Sequence, residues 1–415
     1  MLKKEVSIKK FYFFAMAPTG SGISGSDRIF IELAREWSKS IPITIYTTQE
    51  GFDMVKRQKL SGKYLKLEKV ERGKLPNNFF LKYFYKIYLG IKLGYSLPIT
   101  DHRSLITFIY SSSDFWMDVF PAVILKIRFG EKVRWIATWY QTAPKPLRGF
   151  SEQKVTNNKH TKERVLTYKF PAFLYWLSQL IAKPLITKYA GKVVVNNEDE
   201  KKQFPEHTKR GDTKVLLGAV PLDQIKKFLT DHRPQITGHQ FDAVFQGRFH
   251  PQKGVVELID IWKKVVEKKP GAKLAMIGDG PLMEKVKSQI TNHKLQNNVK
   301  LFGYLFDGSK KYSIFASSKL VVHPAFYDSG GMASAEAMAF GIPAIGFNLK
   351  AYGSYYPKGM LKIKTGNLDQ FAQGIINMLE DDNLRKRVGL EAKKMIENNW
   401  SWKKRAQEVL KLINS

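Results

Sequence analysis

The stretch Val321-Val322-His323-Pro324-Ala325-Phe326-Tyr327-Asp328-Ser329-Gly330-Gly331-Met332, running straight into Ala333-Ser334-Ala335-Glu336-Ala337-Met338-Ala339, carries the clearest architectural signal in this chain. A β-branched apolar run stops at a proline, a Gly-Gly turn follows, and an Ala-rich helical segment begins at once. Strand, Gly-rich loop and helix in that order make an α/β unit, and the free N–H groups of the helix start are expected to aim at the loop as an anion site. Asp328 and Glu336 place two carboxylates eight residues apart around that turn. Acids beside an anion site make sense if they accept hydrogen bonds from sugar or ribose hydroxyls. The bland alternative makes Asp328 a cap and Glu336 a solvated helix residue.

The same alternation extends in both directions. Strands are expected at Ala243–Gln246, Lys273–Ile277, Val299–Phe302, Leu320–His323 and Pro343–Gly346, with helices near Val255–Lys268, Leu282–Asn292, Ser309–Ser317 and Ala333–Phe340. An earlier cycle reads as strands at Lys10–Ala17, Ile41–Thr47, Leu105–Tyr110, Val133–Thr138 and Lys192–Val195, with a helix from about Asp27 to Lys39. Between the cycles Lys226–Gln240 is polar and holds Pro234 and Gly238, which makes it the expected linker. The predicted architecture is α/β, two doubly wound Rossmann-like domains with a cleft between them, whose ligands sit beyond the carboxyl ends of the strands.

Three more loops fall at such positions. In Gln246-Gly247-Arg248-Phe249-His250-Pro251-Gln252-Lys253-Gly254 an Arg and a Lys stand five residues apart just before a helix. A guanidinium forks onto two phosphate oxygens and an ammonium adds a point charge, so the pair suits a diphosphate, although a basic surface loop has the same composition. Met276-Ile277-Gly278-Asp279-Gly280-Pro281 ends the next strand, with glycines that admit a flat ring or simply make a tight turn. Gly20, Gly22 and Gly25 repeat the loop-before-helix arrangement in the first half. They have the dinucleotide spacing, but no acidic ribose partner ends the second strand.

The 415 residues include 68 Lys+Arg against 37 Asp+Glu and no cysteine. Cysteine-based zinc, disulfides and a thiol nucleophile are excluded, and the 43% hydrophobic content excludes a disordered chain. The charge of +31 by itself is compatible with nucleic acid, anionic lipid or phosphorylated substrates. The apolar run Phe11-Tyr12-Phe13-Phe14-Ala15-Met16-Ala17 after four lysines reads as a strand rather than a secretory core, because it is only about seven residues long. No stretch reaches the ~18–20 apolar residues of a membrane span. Phe170–Ala182 reads as a core helix. Phe79–Leu93 reads as an interfacial helix, since residues 54–92 hold eleven Lys/Arg and only Glu68 and Glu71. Lys82, Phe84, Lys86 and Tyr88 are its expected membrane contacts, and an anionic, cytoplasmic-type leaflet is the expected surface.

Together these residues resemble the retaining, nucleotide-sugar-dependent glycosyltransferases of family 4, which adopt the two-domain GT-B fold. The likeness rests on Gly247-Arg248 with Lys253-Gly254, on Ile277-Gly278-Asp279-Gly280-Pro281, and on Asp328-x7-Glu336 followed by Ala337-Met338-Ala339-x-Gly341-x-Pro343. More loosely it includes Ser24-Gly25-Ser26-Asp27-Arg28 and Glu32-Leu33-Ala34. The resemblance implies an acceptor domain at 1–225, a linker at 226–240, a donor domain at 241–399, and a segment 400–415, with Trp400-Ser401-Trp402, that crosses back to the first domain. It implies that Arg248 and Lys253 hold the donor diphosphate, Glu336 the ribose hydroxyls, and Asp328 the transferred sugar, where the family usually has Glu. It places Gly25, Gly278, Ser329, Gly330, Gly331 and Met332 around the donor. Tyr140 and Gln141 stand where many relatives carry histidine; neither is a general base, but both could orient the acceptor or sugar.

The expected activity is metal-independent transfer of a sugar from UDP- or GDP-sugar to a lipid-linked or other saccharide acceptor, with no cofactor and no nucleic-acid partner. Glu198-Asp199-Glu200 is expected to complement a helix start rather than bind metal. A nucleic-acid binder would have no use for carboxylates at 328 and 336. A catalytically inactive relative of the same fold is the other alternative. The expected location is the cytoplasm, peripheral on the membrane's cytoplasmic face.

Overall fold

The computed structural model describes residues 10–19, 22–99, 106–144, 169–232 and 238–414. Two parallel sheets organise them. The first comprises β1 (Lys10–Ala15), β2 (Ile43–Thr47), β3 (Leu65–Lys69), β4 (Thr107–Ser111), β5 (Val133–Trp139), β6 (Lys192–Val195) and β7 (Thr213–Val215), in the order β3-β2-β1-β4-β5-β6-β7. The second comprises β8 (Phe241–Gln246), β9 (Leu274–Ile277), β10 (Val299–Leu301), β11 (Ser318–His323), β12 (Ala344–Phe347) and β13 (Met360–Ile363), in the order β10-β9-β8-β11-β12-β13. Central strands such as β4, β9 and β12 are buried along their whole length, as parallel strands covered on both faces must be.

Strand order reverses between β1 and β4 in the first sheet and between β8 and β11 in the second. At such a reversal the loops leaving two neighbouring strands part in opposite directions, and a crevice opens at their carboxyl ends. The register Leu320↔Ala243 and Val321↔Val244 puts the end of β11 beside the end of β8. That pairing brings the Arg248–Lys253 loop next to the Asp328–Gly331 turn.

The chain divides into two compact units. Among the described residues, one contains those up to 144, 170–218 and 402–414; the other contains those of 219–401. The described residues pass between them at Gly218–Ala219 and Ser401–Trp402. Within 226–240, residues 226–232 continue the helix Leu222–His232, because Leu222, Ile225 and Phe228 recur at helical spacing and bury one face. Residues 233–237, including Pro234, lie outside the described set. The C-terminal helix Trp402–Asn414 belongs to the first unit, where the Trp37 indole donates to Ala406 O at 3.1 Å.

Edge strands β3 and β7 and the terminal β13 are additions to the strands expected from sequence. Leu65–Lys69 is a half-exposed edge of five residues, three of them charged, and Thr213–Val215 is three residues long, so both are too short and polar to stand out.

Candidate active site

Lys253 ends a short 3-10 turn, Pro251–Lys253, and its ammonium lies 2.6 Å from Asp328 Oδ2. The two loops are sewn together by the backbone, where Phe326 N donates to Gln252 O at 2.8 Å. Asp328 is only 8% exposed. Its Oδ2 also accepts from His323 Nε2 at 2.8 Å and the Tyr352 hydroxyl at 3.2 Å, while Oδ1 accepts from Gly330 N and Gly331 N at 3.3 and 3.2 Å. Five donors thus converge on one carboxylate.

Burial would push the Asp328 carboxyl upward, but the Lys253 charge and the His323 hydrogen bond outweigh it and hold it well below the usual carboxylate range. His323 is pushed down by burial and by Lys253 against the pull of Asp328, so its neutral ring donates Nε2–H. His250, beside the same loop, is pushed down to about 3 by burial and by the charges of Arg248 and Lys253. It stays an uncharged acceptor for Gln252 N.

These contacts correct two expectations. The N–H groups of Gly330 and Gly331 do not point freely at a ligand, because the short side chain of Asp328 takes them. Asp328 itself faces inward as an anchor of the Gly-Gly turn, in which Gly331 has φ +61°. The Tyr356 hydroxyl clamps the same turn by donating to Gly331 O. Ser329 and Met332 are half-buried at the turn's rim. Tyr352, Tyr356 and His323 had no role in the sequence reading; His323 stood inside the quoted motif, but nothing in its spacing marked its partner.

Glu336, on the helix Met332–Met338, forms a second cluster beside the carboxyl end of β8. Its Oε2 accepts from Lys311 Nζ at 2.6 Å and from Gln246 Nε2 at 3.1 Å. Lys311 also pairs with Asp307. Glu336 is therefore held by buried polar partners and is no solvated helix residue. Arg248 is exposed and makes no ion pair among the described residues. Gly278 closes β9, its N–H bonded to Gly303 O at 2.8 Å. Lys253, Asp328, Gly330 and Gly331 thus meet directly, and Arg248 and Gly278 lie on neighbouring loops.

In the first unit Gly25 is the exposed first residue of the helix Gly25–Trp37, behind a capping box of Ser24 and Asp27. Tyr140 is 7% exposed, and its hydroxyl shares a 2.6 Å hydrogen bond with Tyr110. The Gln141 carbonyl accepts from the Tyr175 hydroxyl at 2.6 Å and from Gln179 Nε2 at 2.7 Å. Glu200 turns away from its own short helix to accept from Thr142 N at 2.8 Å and Trp139 Nε1 at 3.2 Å. The loop after β5 is thereby pinned from two sides. Among the described residues no three His, Asp or Glu side chains gather as a metal site.

The helix Phe79–Ser96 corrects the expected membrane contacts in part. Lys86 is buried, donating to Pro18 O at 2.6 Å and Glu50 Oε2 at 2.8 Å, and Lys82 is half-buried on Glu50 Oε1 at 3.0 Å. One acidic residue gathers both lysines inward, so the outward face is aromatic: Phe79, Phe80, Leu81, Phe84 and Tyr88 are exposed. The helix Lys169–Tyr189 is not wholly core either. Ser178, Gln179, Ala182 and Ile186 are buried, but Leu180 and Ile181 are exposed. No helix among the described residues is long and apolar enough to cross a membrane.

Asp118, fully buried, accepts from Met16 N at 2.7 Å and from the hydroxyls of Ser113 and Ser112 at 2.6 and 3.1 Å. Burial nevertheless raises its carboxyl to about 7. A folded-state value above the unfolded one means stability is fully present below the unfolded value near ~4 and declines as pH rises through 7. Asp118→Asn keeps the acceptor for Met16 and can donate to the serines. Its melting temperature is expected to exceed the parent's by a margin that widens as pH rises from about 4 to about 7 and then levels off; parallel curves would refute this.

Residues 227–395 match the family of glycosyl transferases group 1. An uncharacterised glycosyltransferase of Methanocaldococcus jannaschii is 28% identical over 183 residues, covering 43% of this chain and 44% of that protein. The poly(glycerol-phosphate) alpha-glucosyltransferase of Bacillus subtilis is 28% identical over 166 residues, covering 39% of this chain and 24% of that protein. This chain thus spans less than half the length of either relative. Among solved structures, Anabaena HepE in complex with UDP and glucose aligns over 98% of this chain and 100% of its own, with TM-score 0.71 and 15% identity. At that identity the likeness establishes the fold, two Rossmann-like domains of GT-B type.

Proposed function

We propose that this chain, a group 1 glycosyltransferase by its 227–395 segment and of GT-B fold, moves a sugar from a UDP- or GDP-sugar to a membrane-associated, lipid-linked saccharide with retention of configuration. The observation that carries this reading is the meeting of the Lys253 loop with the Asp328–Gly331 turn at the strand-order reversal, with Arg248 exposed on the same loop. Anabaena HepE, which shares the fold, was crystallised with UDP and glucose.

In the proposed reaction the bond from sugar C1 to the diphosphate oxygen breaks and the acceptor oxygen bonds to C1. The acceptor's proton passes to the departing phosphate oxygen, which spares Tyr140 and Gln141 any role as base. Arg248 and Lys253 meet the charge that develops on the leaving diphosphate, so no metal is required, and the hold of Asp328 on Lys253 makes that part of the stabilisation preorganised. Glu336 accepts from the ribose hydroxyls. Asp328 holds Lys253 and the Gly-Gly turn in place beneath the sugar. Titration calorimetry with UDP, GDP, ADP and CMP, followed by product analysis by NMR, tests the reading. Binding of UDP or GDP in preference to the other two, and an α-to-α or β-to-β outcome, is expected. Full turnover by Glu336→Ala would overturn the site assignment.

We place the protein peripherally on the cytoplasmic face of the membrane, where an anionic leaflet complements the net charge of +31. The exposed aromatic row of the helix Phe79–Ser96 supports this, since each such side chain gains on the order of 1 kcal/mol or more on leaving water. The triple variant Leu81→Glu, Phe84→Glu, Tyr88→Glu is expected to lose at least tenfold in binding to phosphatidylserine vesicles and to keep nucleotide affinity. Unchanged sedimentation with vesicles would refute the placement.

A further inference from the structure

Lys311 is among the most deeply buried charged groups in the second unit, with a side chain 1% exposed. It lies outside every motif that carries the family likeness, on the helix Ser309–Ala316, with its ammonium 5.8–5.9 Å from the ring centroids of Tyr312 and Phe315. Burying an ammonium there costs several kcal/mol unless it is paired. It is paired with two carboxylates, Asp307 on one side and Glu336 Oε2 at 2.6 Å on the other.

The geometry at Glu336 is specific. One oxygen, Oε2, accepts from Lys311, which comes from a helix, and from Gln246 Nε2, which comes from the end of β8. Two donors from different elements on a single oxygen fix both the rotamer and the plane of the carboxylate. We propose that Lys311, assisted by Gln246, is a positioning residue that sets the Glu336 carboxylate for the vicinal hydroxyls of the donor ribose. It thereby makes the site selective for ribonucleotides over nucleotides lacking that diol. This rests on the reading of Glu336 as the ribose acceptor given above. A site built to accept from a diol discriminates strongly against ligands without one, because the hydrogen bonds that the diol would donate are then not made.

The test is calorimetric titration of the full chain with UDP and GDP and with their 2′,3′-dideoxy analogues. The parent is expected to prefer the ribonucleotide by at least tenfold. In Lys311→Met that preference falls to within twofold because ribonucleotide affinity drops, while affinity for the dideoxy analogue is unchanged. Lys311→Arg restores most of the preference. Gln246→Leu, at a half-buried position, loses it in part. A preference that survives in Lys311→Met, or an equal loss for both ligands, overturns the inference. If Lys311→Met does not fold, an unchanged preference in Gln246→Leu overturns it instead. A parent that binds both forms equally refutes the ribose reading of Glu336 itself, and that failure is recognisable because it appears before any substitution.

Discussion

Lys253→Ala is expected to reduce sugar transfer by about 10²–10³-fold, the usual effect of losing one preorganised group that meets charge on a leaving oxygen. The same substitution strips the nearest cation from Asp328, and breaking a buried pair commonly costs about 3–5 kcal/mol. Here the loss should fall at the lower end, because His323, Tyr352 and the Gly330 and Gly331 N–H groups still donate to the carboxylate. Catalytic and structural losses are separable by a second change. Lys253→Ala combined with Asp328→Asn removes both charges, so its urea midpoint should recover towards the parent while turnover stays lost. A double variant that regains transfer along with stability would show that Lys253 serves only the fold. Near-normal turnover in Lys253→Ala alone would remove the diphosphate role altogether.

Gly254→Ala is expected to destabilise the second unit by on the order of 3 kcal/mol, summing a left-handed backbone penalty and a forced backbone shift. Gly254 has φ +63°, and a Cβ there would run into the Pro324 carbonyl, with the Phe326 ring close behind. Neither neighbour can yield, because Phe326 N is tied to Gln252 O and the Phe326 ring packs on Phe347 with centroids 5.0 Å apart. The collision would prise the Lys253 loop from the Asp328 loop, so nucleotide affinity should fall with stability. Gly353→Ala is the control: its Cβ would meet nothing within 4 Å, and it should be neutral in chemical denaturation. Equal stability of the two variants would show that the two loops do not need their close approach.

The alternation of strands and helices was legible because parallel strands buried on both faces read as short apolar runs. Gly-rich loops after them mark where the chain turns towards a ligand. The polar residues Arg248, Lys253, Asp328 and Glu336 were legible for the same reason, as charged groups displaced onto strand ends, and the structure brings Lys253 onto Asp328. Edge strands β3 and β7 were hidden, since a half-solvated edge needs no strict pattern. The lysines of the helix Phe79–Ser96 were misplaced because aromatic and basic residues at helical spacing suit either an interface or a buried ion pair. Glu50, some thirty residues away, and the Pro18 carbonyl settle which way they turn.

The amino-acid order alone determined the class of fold, the two cycles and the loops that carry charged groups at strand ends, because periodicity, glycine and proline act through neighbours in the chain. Tertiary structure decided what those groups touch. Asp328 became an anchor for Lys253 and Tyr352 as well as its own turn, Glu336 acquired Lys311 and Gln246, and Lys86 turned inward, since these partners arrive from other strand ends or helices. Such pairings depend on strand order and register, which bring residues 25 to 90 positions apart within hydrogen-bond reach.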